Sequence, residues 1–207
     1  MANFYTSYYP NYFSVEDILA SQDRVPCKFE VTVKGLGYLD ASSGNEDILP
    51  GSKIELPCWM ARPLCSSKRL PIVSAQLPVN YRERYREILS ADACVVDLQK
   101  LGPHFYELGL HLLPITSAPD RPRLAALLTQ VLRDRLRPIM DDAQHCSADE
   151  TSQKIAKLDR LEIRLFRGGQ ESVRDRERWL DRTAHLLSMA PLLAASNARH
   201  KRKRQDS

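Results

Sequence analysis

The sequence predicts an α+β fold that is mainly α: a small β-rich domain over residues 1–75, a larger helical-bundle domain over 76–195 and a basic flexible tail over 196–207. Three observations predict it. Breakers crowd the first third, where Pro10, Pro26, Gly35, Gly37, Gly44, Pro50, Gly51, Pro57, Pro63 and Pro71 leave room only for short runs. After about Gln76, apolar residues recur at three- and four-residue intervals, the period of a helix with one buried face. The last nine residues, "RHKRKRQDS", hold five basic residues and one acid.

In the first domain, "SVEDILAS" places Ser14 as a cap with Asp17 at the third helical position, which predicts one short helix. "KFEVTV" alternates Phe29, Val31 and Val33 with Lys28, Glu30 and Thr32, the period of a half-buried strand. A second strand is expected through "GLGYLD", and further strands in "SKIEL" and "LPIVSA" around a short helical "PCWMA". The polar, glycine-bearing "ASSGNEDILPG", Ala41 to Gly51, is expected to be a mobile loop.

In the second domain, Arg121 to Cys146 carries Leu124, Leu127, Leu128, Val131, Leu136, Ile139 and Met140 as a helical stripe. A further helix from about Glu150 is expected to continue through Ile155, Leu158, Leu161 and Leu165 and to stop at Gly168-Gly169. The last helix is expected to begin near Ser172. It aligns Val173, Leu180 and Leu187, with Trp179 and Thr183 beside them, until Pro191 bends or ends it. In "VVDLQKLGPHFYELG", Leu98, Leu101, Phe105, Leu108 and Leu112 follow a 3-4-3-4 spacing interrupted by Gly102-Pro103, which fits two short helices or one kinked helix.

Charge narrows the function classes. Lysine and arginine number 30 against 26 acids, but the tail accounts for the surplus and leaves 25 of each sign in residues 1–198. A neutral body lacks the field with which nucleic-acid binders neutralise phosphates. Cys27, Cys58, Cys65, Cys94 and Cys146 are an odd set without paired short spacings, so a reducing compartment is expected. The start "MANFYTSYYPNYF" lacks the layout of a signal peptide, and no apolar run reaches the roughly 20 residues that span a bilayer, so a soluble protein without membrane partners is expected.

The reactive-looking residues read as structure. Asp97 lies seven residues from His104, too far for a direct pair on a helix, whereas His104 and Glu107 at i, i+3 form an ordinary helix-surface pair. No nucleophile elbow, glycine-rich phosphate loop or metal-spaced cluster accompanies them, so no catalytic, cofactor-binding or metal residues are assigned. "RGGQ" after Phe166 is expected to cap a helix end, and "MDDAQHCSADE" to be a solvated connection between helices. Lys201, Arg202, Lys203 and Arg204 form a candidate nuclear import signal.

The segments "GSKIELPCWMA", "SAQLPVNY", "ADACVVDLQKLGPHFYELG", "KLDRLEIRLFRGGQ" and "ASNARHKRKR" span most of the chain, and through them it resembles the third-Psf-subunit family of GINS, the four-protein replication complex. The resemblance implies a β-rich domain followed by a helical one, and a nuclear, pseudo-symmetric heterotetramer with Sld-five and the first and second Psf subunits. It also implies an assembly that joins the MCM hexamer and the Cdc-forty-five protein in the replicative helicase. Contact with DNA would be indirect, and ATP chemistry would belong to MCM. Such a scaffold requires apolar faces, for which Leu101, Phe105, Tyr106, Leu158, Leu165, Trp179 and Leu180 are the candidate packing or subunit-interface residues.

The alternative is a DNA-binding regulator whose binding depends on the basic tail, so that removing Arg199 to Ser207 abolishes it. An enzyme ranks third, and requires a pocket gathering distant polar residues around His104 or His145.

Overall fold

A serine in extended backbone followed by two acids starts the first helix: Ser14 caps α1 (Val15–Gln22), its hydroxyl accepting from the Asp17 amide at 3.4 Å. The computed structural model describes residues 13–40, 46–66, 71–145 and 148–182. The chain divides into two units, Met1–Gly169 and Gln170–Ser207.

After α1, the strand β1 (Arg24–Phe29) turns Val25, Cys27 and Phe29 inward while Arg24, Pro26 and Lys28 stay nearer solvent. It is the centre of an antiparallel sheet of order β2-β1-β3, with β2 at Lys53–Pro57 and β3 at Val73–Ala75. Register runs from Arg24↔Pro57 to Lys28↔Lys53 on one side and from Cys27↔Ala75 to Phe29↔Val73 on the other. The phase expected from "KFEVTV" is correct at Phe29, but the strand lies earlier. Beyond it Val31 is 43% exposed, and Val33 makes one bridge with the buried Ile48.

The strand expected through "GLGYLD" is instead a 3-10 turn, Gly37–Leu39. Gly35, at φ +72°, reverses the chain and donates its amide to Asp47 Oδ1 at 2.8 Å. Of the expected mobile loop, residues 41–45 lie outside the described residues. The rest is held by backbone bonds from Gly37 to the Glu46 carbonyl and from Gly51 to the Phe29 carbonyl. The helix α2 (Cys58–Cys65) follows β2 directly and buries Cys58 and Ala61.

Then come α3 (Glu83–Ala91), α4 (Leu98–Leu101) and α5 (Phe105–Leu112). Gly102-Pro103 separates α4 from α5, so the interrupted stripe is two helices. Asp97 caps α4, accepting from the Lys100 amide at 3.3 Å. The long α6 (Asp120–His145) buries Leu124, Leu127, Leu128, Val131 and Ile139 as expected. The stripe differs at one point: Leu136 is 38% exposed, and Arg135 takes the buried place. Pro138 has no amide proton to give the Asp134 carbonyl one turn earlier, and the Cys94 thiol donates there at 3.7 Å.

The last described segments correct four expectations. The helix foreseen from Glu150 is two, α7 (Ala148–Ile155) and α8 (Arg160–Leu180), separated where Asp159 and Glu162 start a new helix. Most of "MDDAQHCSADE" belongs to α6 and α7, with Lys154 Nζ 2.7 Å from Asp142 Oδ1. Gly168-Gly169 does not end a helix. A Cβ on Gly169 would lie 2.9 Å from the Ala143 Cβ, so the glycine lets α8 approach α6 closely. The helix expected from Ser172 is the remainder of α8, whereas Thr183, Leu187 and Pro191 lie outside the described residues.

Among the described residues, two apolar clusters form the core. The larger joins Val25, Phe29 and Val73 of the sheet to Leu89, Leu98, Phe105, Leu112, Leu124 and Val131 of the helices. The smaller packs Ile139 and Ala143 of α6 with Leu158, Ile163 and Phe166. The class is therefore α+β, mainly α, and no described helix is long and apolar enough to cross a membrane.

Candidate functional site: a buried polar junction

Arg135 lies between Val131 and Ile139 on the buried stripe of α6, so its charge enters the interior with them. A guanidinium there must be answered by both charge and hydrogen bonds. Nε and Nη2 donate to the two oxygens of Glu162 at 2.7 and 3.0 Å, while Nη1 donates to the carbonyls of Ala93 and Val96 at 2.6 and 2.8 Å. Burial works against the Arg135 charge, but the bonds and charge of Glu162 outweigh it and hold the pKa above the ordinary arginine value.

Glu162 has a second task. With Asp159 it forms a capping box at the start of α8: Glu162 Oε2 accepts from the Asp159 amide at 3.1 Å, and Asp159 Oδ2 accepts from the Leu161 amide at 2.9 Å. The other Asp159 oxygen accepts from the Phe105 amide at 2.8 Å, so one carboxylate caps α8 and holds the start of α5. Burial pushes Asp159 up to about 8. The nearby Glu107 charge adds to this, and the two backbone N–H bonds oppose it.

The aromatic pair of α5 completes the junction. Tyr106 Oη donates to Glu162 Oε1 at 2.8 Å, and burial, reinforced by the Glu162 charge, raises its pKa and keeps the phenol protonated. Phe105 stacks on Tyr81 at 5.0 Å between ring centroids, and Tyr81 Oη donates to the Phe105 carbonyl at 2.7 Å.

A second polar set holds α1. The Arg62 guanidinium meets His111 Nδ1 at 3.1 Å, which makes that nitrogen an acceptor and places the ring proton on Nε2, 2.7 Å from Asp17 Oδ1. Arg164 of α8 reaches Glu16 at 3.1 Å and Glu107 at 3.1 Å. His104 is 6% exposed and precedes α5, which corrects its reading as half of a helix-surface pair: Glu107 pairs with Arg164 instead. His104 Nδ1 has no hydrogen-bond partner among the described residues.

The sequence-selected residues divide by burial. Phe105, Tyr106 and Leu158 are buried in the chain's own core, Leu101 and Leu165 are half-buried, and Trp179 and Leu180 are 69% and 61% exposed. Lys201, Arg202, Lys203 and Arg204 lie outside the described residues. Sequence reasoning missed Arg135, Asp159, Glu162 and His111. Two signals marked the junction: an arginine on an otherwise apolar stripe, and "DRLE", which has the spacing of a capping box.

Chemically the junction is closed. Arg135 and Glu162 are bonded within the chain through every polar side-chain atom, and Glu162 and Asp159 have no exposure with which to meet a substrate. Burial pushes the Cys27 and Cys58 thiols up to about 12 and about 11, away from the thiolate that nucleophilic attack or metal binding requires.

Residues 13–66 match the model of the PSF3 N-terminal domain, and residues 80–181 match that of the GINS complex protein helical bundle domain. The DNA replication complex GINS protein PSF3 of Xenopus laevis is 43% identical over 169 residues, covering 82% of this chain and 80% of the relative. Its Mus musculus counterpart is 39% identical over 188 residues, covering 88% and 86%. That of Homo sapiens is 40% identical over 174 residues, covering 82% and 80%.

Proposed function

This chain belongs to the PSF3 family of GINS proteins, and from that premise we propose that it is a non-catalytic structural subunit of a GINS heterotetramer. Its partners are Sld-five and the first and second Psf subunits. The tetramer joins the MCM hexamer and the Cdc-forty-five protein in the active replicative helicase, in the nucleus, during initiation and elongation, and meets DNA through that helicase.

In this reading residues 1–75 form the β-rich domain, 76–195 the helical domain and 196–207 the tail, with Lys201 to Arg204 serving nuclear import. The exposed Trp179 and Leu180 anchor a subunit contact. Leu101 and Leu165 border such contacts, while Phe105, Tyr106 and Leu158 hold the presenting helices from inside.

The observation that carries the reading is the closed junction: the charged groups best suited to acid–base chemistry bond one another in the interior and join α5, α6 and α8. Co-expression with the three partner subunits, followed by size-exclusion chromatography with mass measurement, tests it. One species containing each chain once is expected. A monodisperse single chain with no affinity for the others would overturn the reading.

A further inference from the structure

Helix α1 is built inside out. At about 100° per residue, Val15, Ile18, Leu19 and Gln22 fall in one arc, and Glu16, Asp17 and Ala20 fall opposite. The polar arc faces the protein: Ala20 is fully buried, Glu16 pairs with Arg164 at 3.1 Å and Asp17 with His111 at 2.7 Å. The apolar arc faces solvent, with Val15, Ile18 and Leu19 68%, 42% and 45% exposed. Beside α1 lies a groove of about 480 Å³ lined by Asp17, Ser21, Trp59, Pro63, Pro114 and Ile115 among others, and Trp59 is 53% exposed. A helix serving only its own fold places its apolar arc inward.

We propose that Val15, Ile18 and Leu19, with Trp59, form a docking face that enters an uncharged apolar groove on another subunit of the GINS assembly, a step that rests on the function proposed above. Charge selects the occupant. Both acids of α1 are engaged inward and the arc of Val15, Ile18, Leu19 and Gln22 carries no charge, so that arc has no cation with which to hold a polyanion; Arg62, in the adjoining groove, keeps its charge beside His111 and Asp17. The i, i+3, i+4 spacing suits helix-in-groove binding, with the tryptophan as an anchor. Area argues against a second copy. Four partly exposed side chains offer a few hundred Å², below the roughly 800 Å² per partner of a standard stable interface. The partner must therefore hold the chain elsewhere too, as subunits of a larger assembly do.

The test co-expresses wild type, Ile18→Glu/Leu19→Glu and Trp59→Ala with Sld-five and the first and second Psf subunits. The expected result is an unchanged circular dichroism spectrum and thermal midpoint for each isolated variant, with recovery in the four-chain species reduced about 10-fold by the double substitution and several-fold by Trp59→Ala. The wild-type species should survive 1 M NaCl, since an apolar contact is not screened. If the double variant unfolds, Trp59→Ala and Val15→Ser decide by the same measurement. Wild type failing to enter the assembly would overturn both this inference and the proposed function. Wild type and variants entering equally would overturn the docking face alone. A homodimer dispersed by the glutamates, with four-chain recovery unchanged, would assign the face to a second copy and overturn the proposal.

Discussion

Arg135 and Glu162, 27 positions apart in sequence, meet in a two-pronged pair at 2.7 and 3.0 Å with side-chain exposures of 5% and 0%. Each charge is tolerable in the interior only because the other is present.

Removing one partner therefore costs more than the pair is worth. Arg135→Met should destabilise the chain by about 3–5 kcal/mol, because Glu162 keeps its burial and loses its cation. Adding Glu162→Leu should restore part of that loss, with the Asp159 amide and the Ala93 and Val96 carbonyls still unanswered. Urea unfolding of both variants checks this. A double variant no more stable than Arg135→Met would refute the account.

Asp159 gives the junction a pH dependence of predictable sign. Its ordinary value is 3.8 and its folded value about 8, so the folded state binds the proton more tightly. The resulting stability is complete below about pH 4 and is lost as pH rises through 8, at about 1 kcal/mol per pH unit. Other carboxylates obscure this in the wild type alone. The difference in thermal midpoint between wild type and Asp159→Asn, followed from pH 5 to 9, isolates it: wild type should lose its advantage as pH rises.

Gly109 of α5 and Gly169 of α8, both buried, should respond differently to a methyl group. At Gly169 the new Cβ meets the Ala143 Cβ at 2.9 Å, and an alanine Cβ cannot rotate away. At Gly109 the neighbours are the Leu128 methyls at 2.8 Å, the far end of a flexible side chain. Alanine contributes about 1 kcal/mol of helix propensity at either site. Gly169→Ala should remain destabilising by about 1–2 kcal/mol, whereas Gly109→Ala should fall near neutrality, as measured by chemical denaturation.

Phe105 and Trp179 separate fold from assembly. Phe105 is 2% exposed and stacked on Tyr81, so Phe105→Ala should cost about 3–5 kcal/mol in the isolated chain. Trp179, 69% exposed, should change that stability by no more than about 0.5 kcal/mol when replaced by alanine, yet lower recovery of the four-chain species. Equal effects on both measurements would remove Trp179 from the proposed contact.

What the sequence revealed followed period and punctuation. The cap at Ser14, the break at Gly102-Pro103 and most of the α6 stripe are local signals, and each appears in the structure. The failures share a cause: tertiary contact outweighed local preference. Gly168-Gly169 carries the composition of a helix end, but α8 continues because it packs close on α6. "GLGYLD" has strand-forming residues, but Gly35 and the Val33–Ile48 bridge turn the chain there. The junction was least legible, because Arg135 acquires its meaning from Glu162, Ala93 and Val96, which no window of sequence around it contains.

The junction also sorts correct packings from look-alikes. Were α6 to slip by one position against α8, Asp134 or Leu136 would be offered to Glu162, a repulsion in one case and a stranded anion in the other. Greasy surfaces alone forgive such slips, since one leucine substitutes for the next. A single keyed ion does not, so the helices reach a shared register before they can present any face to a neighbour.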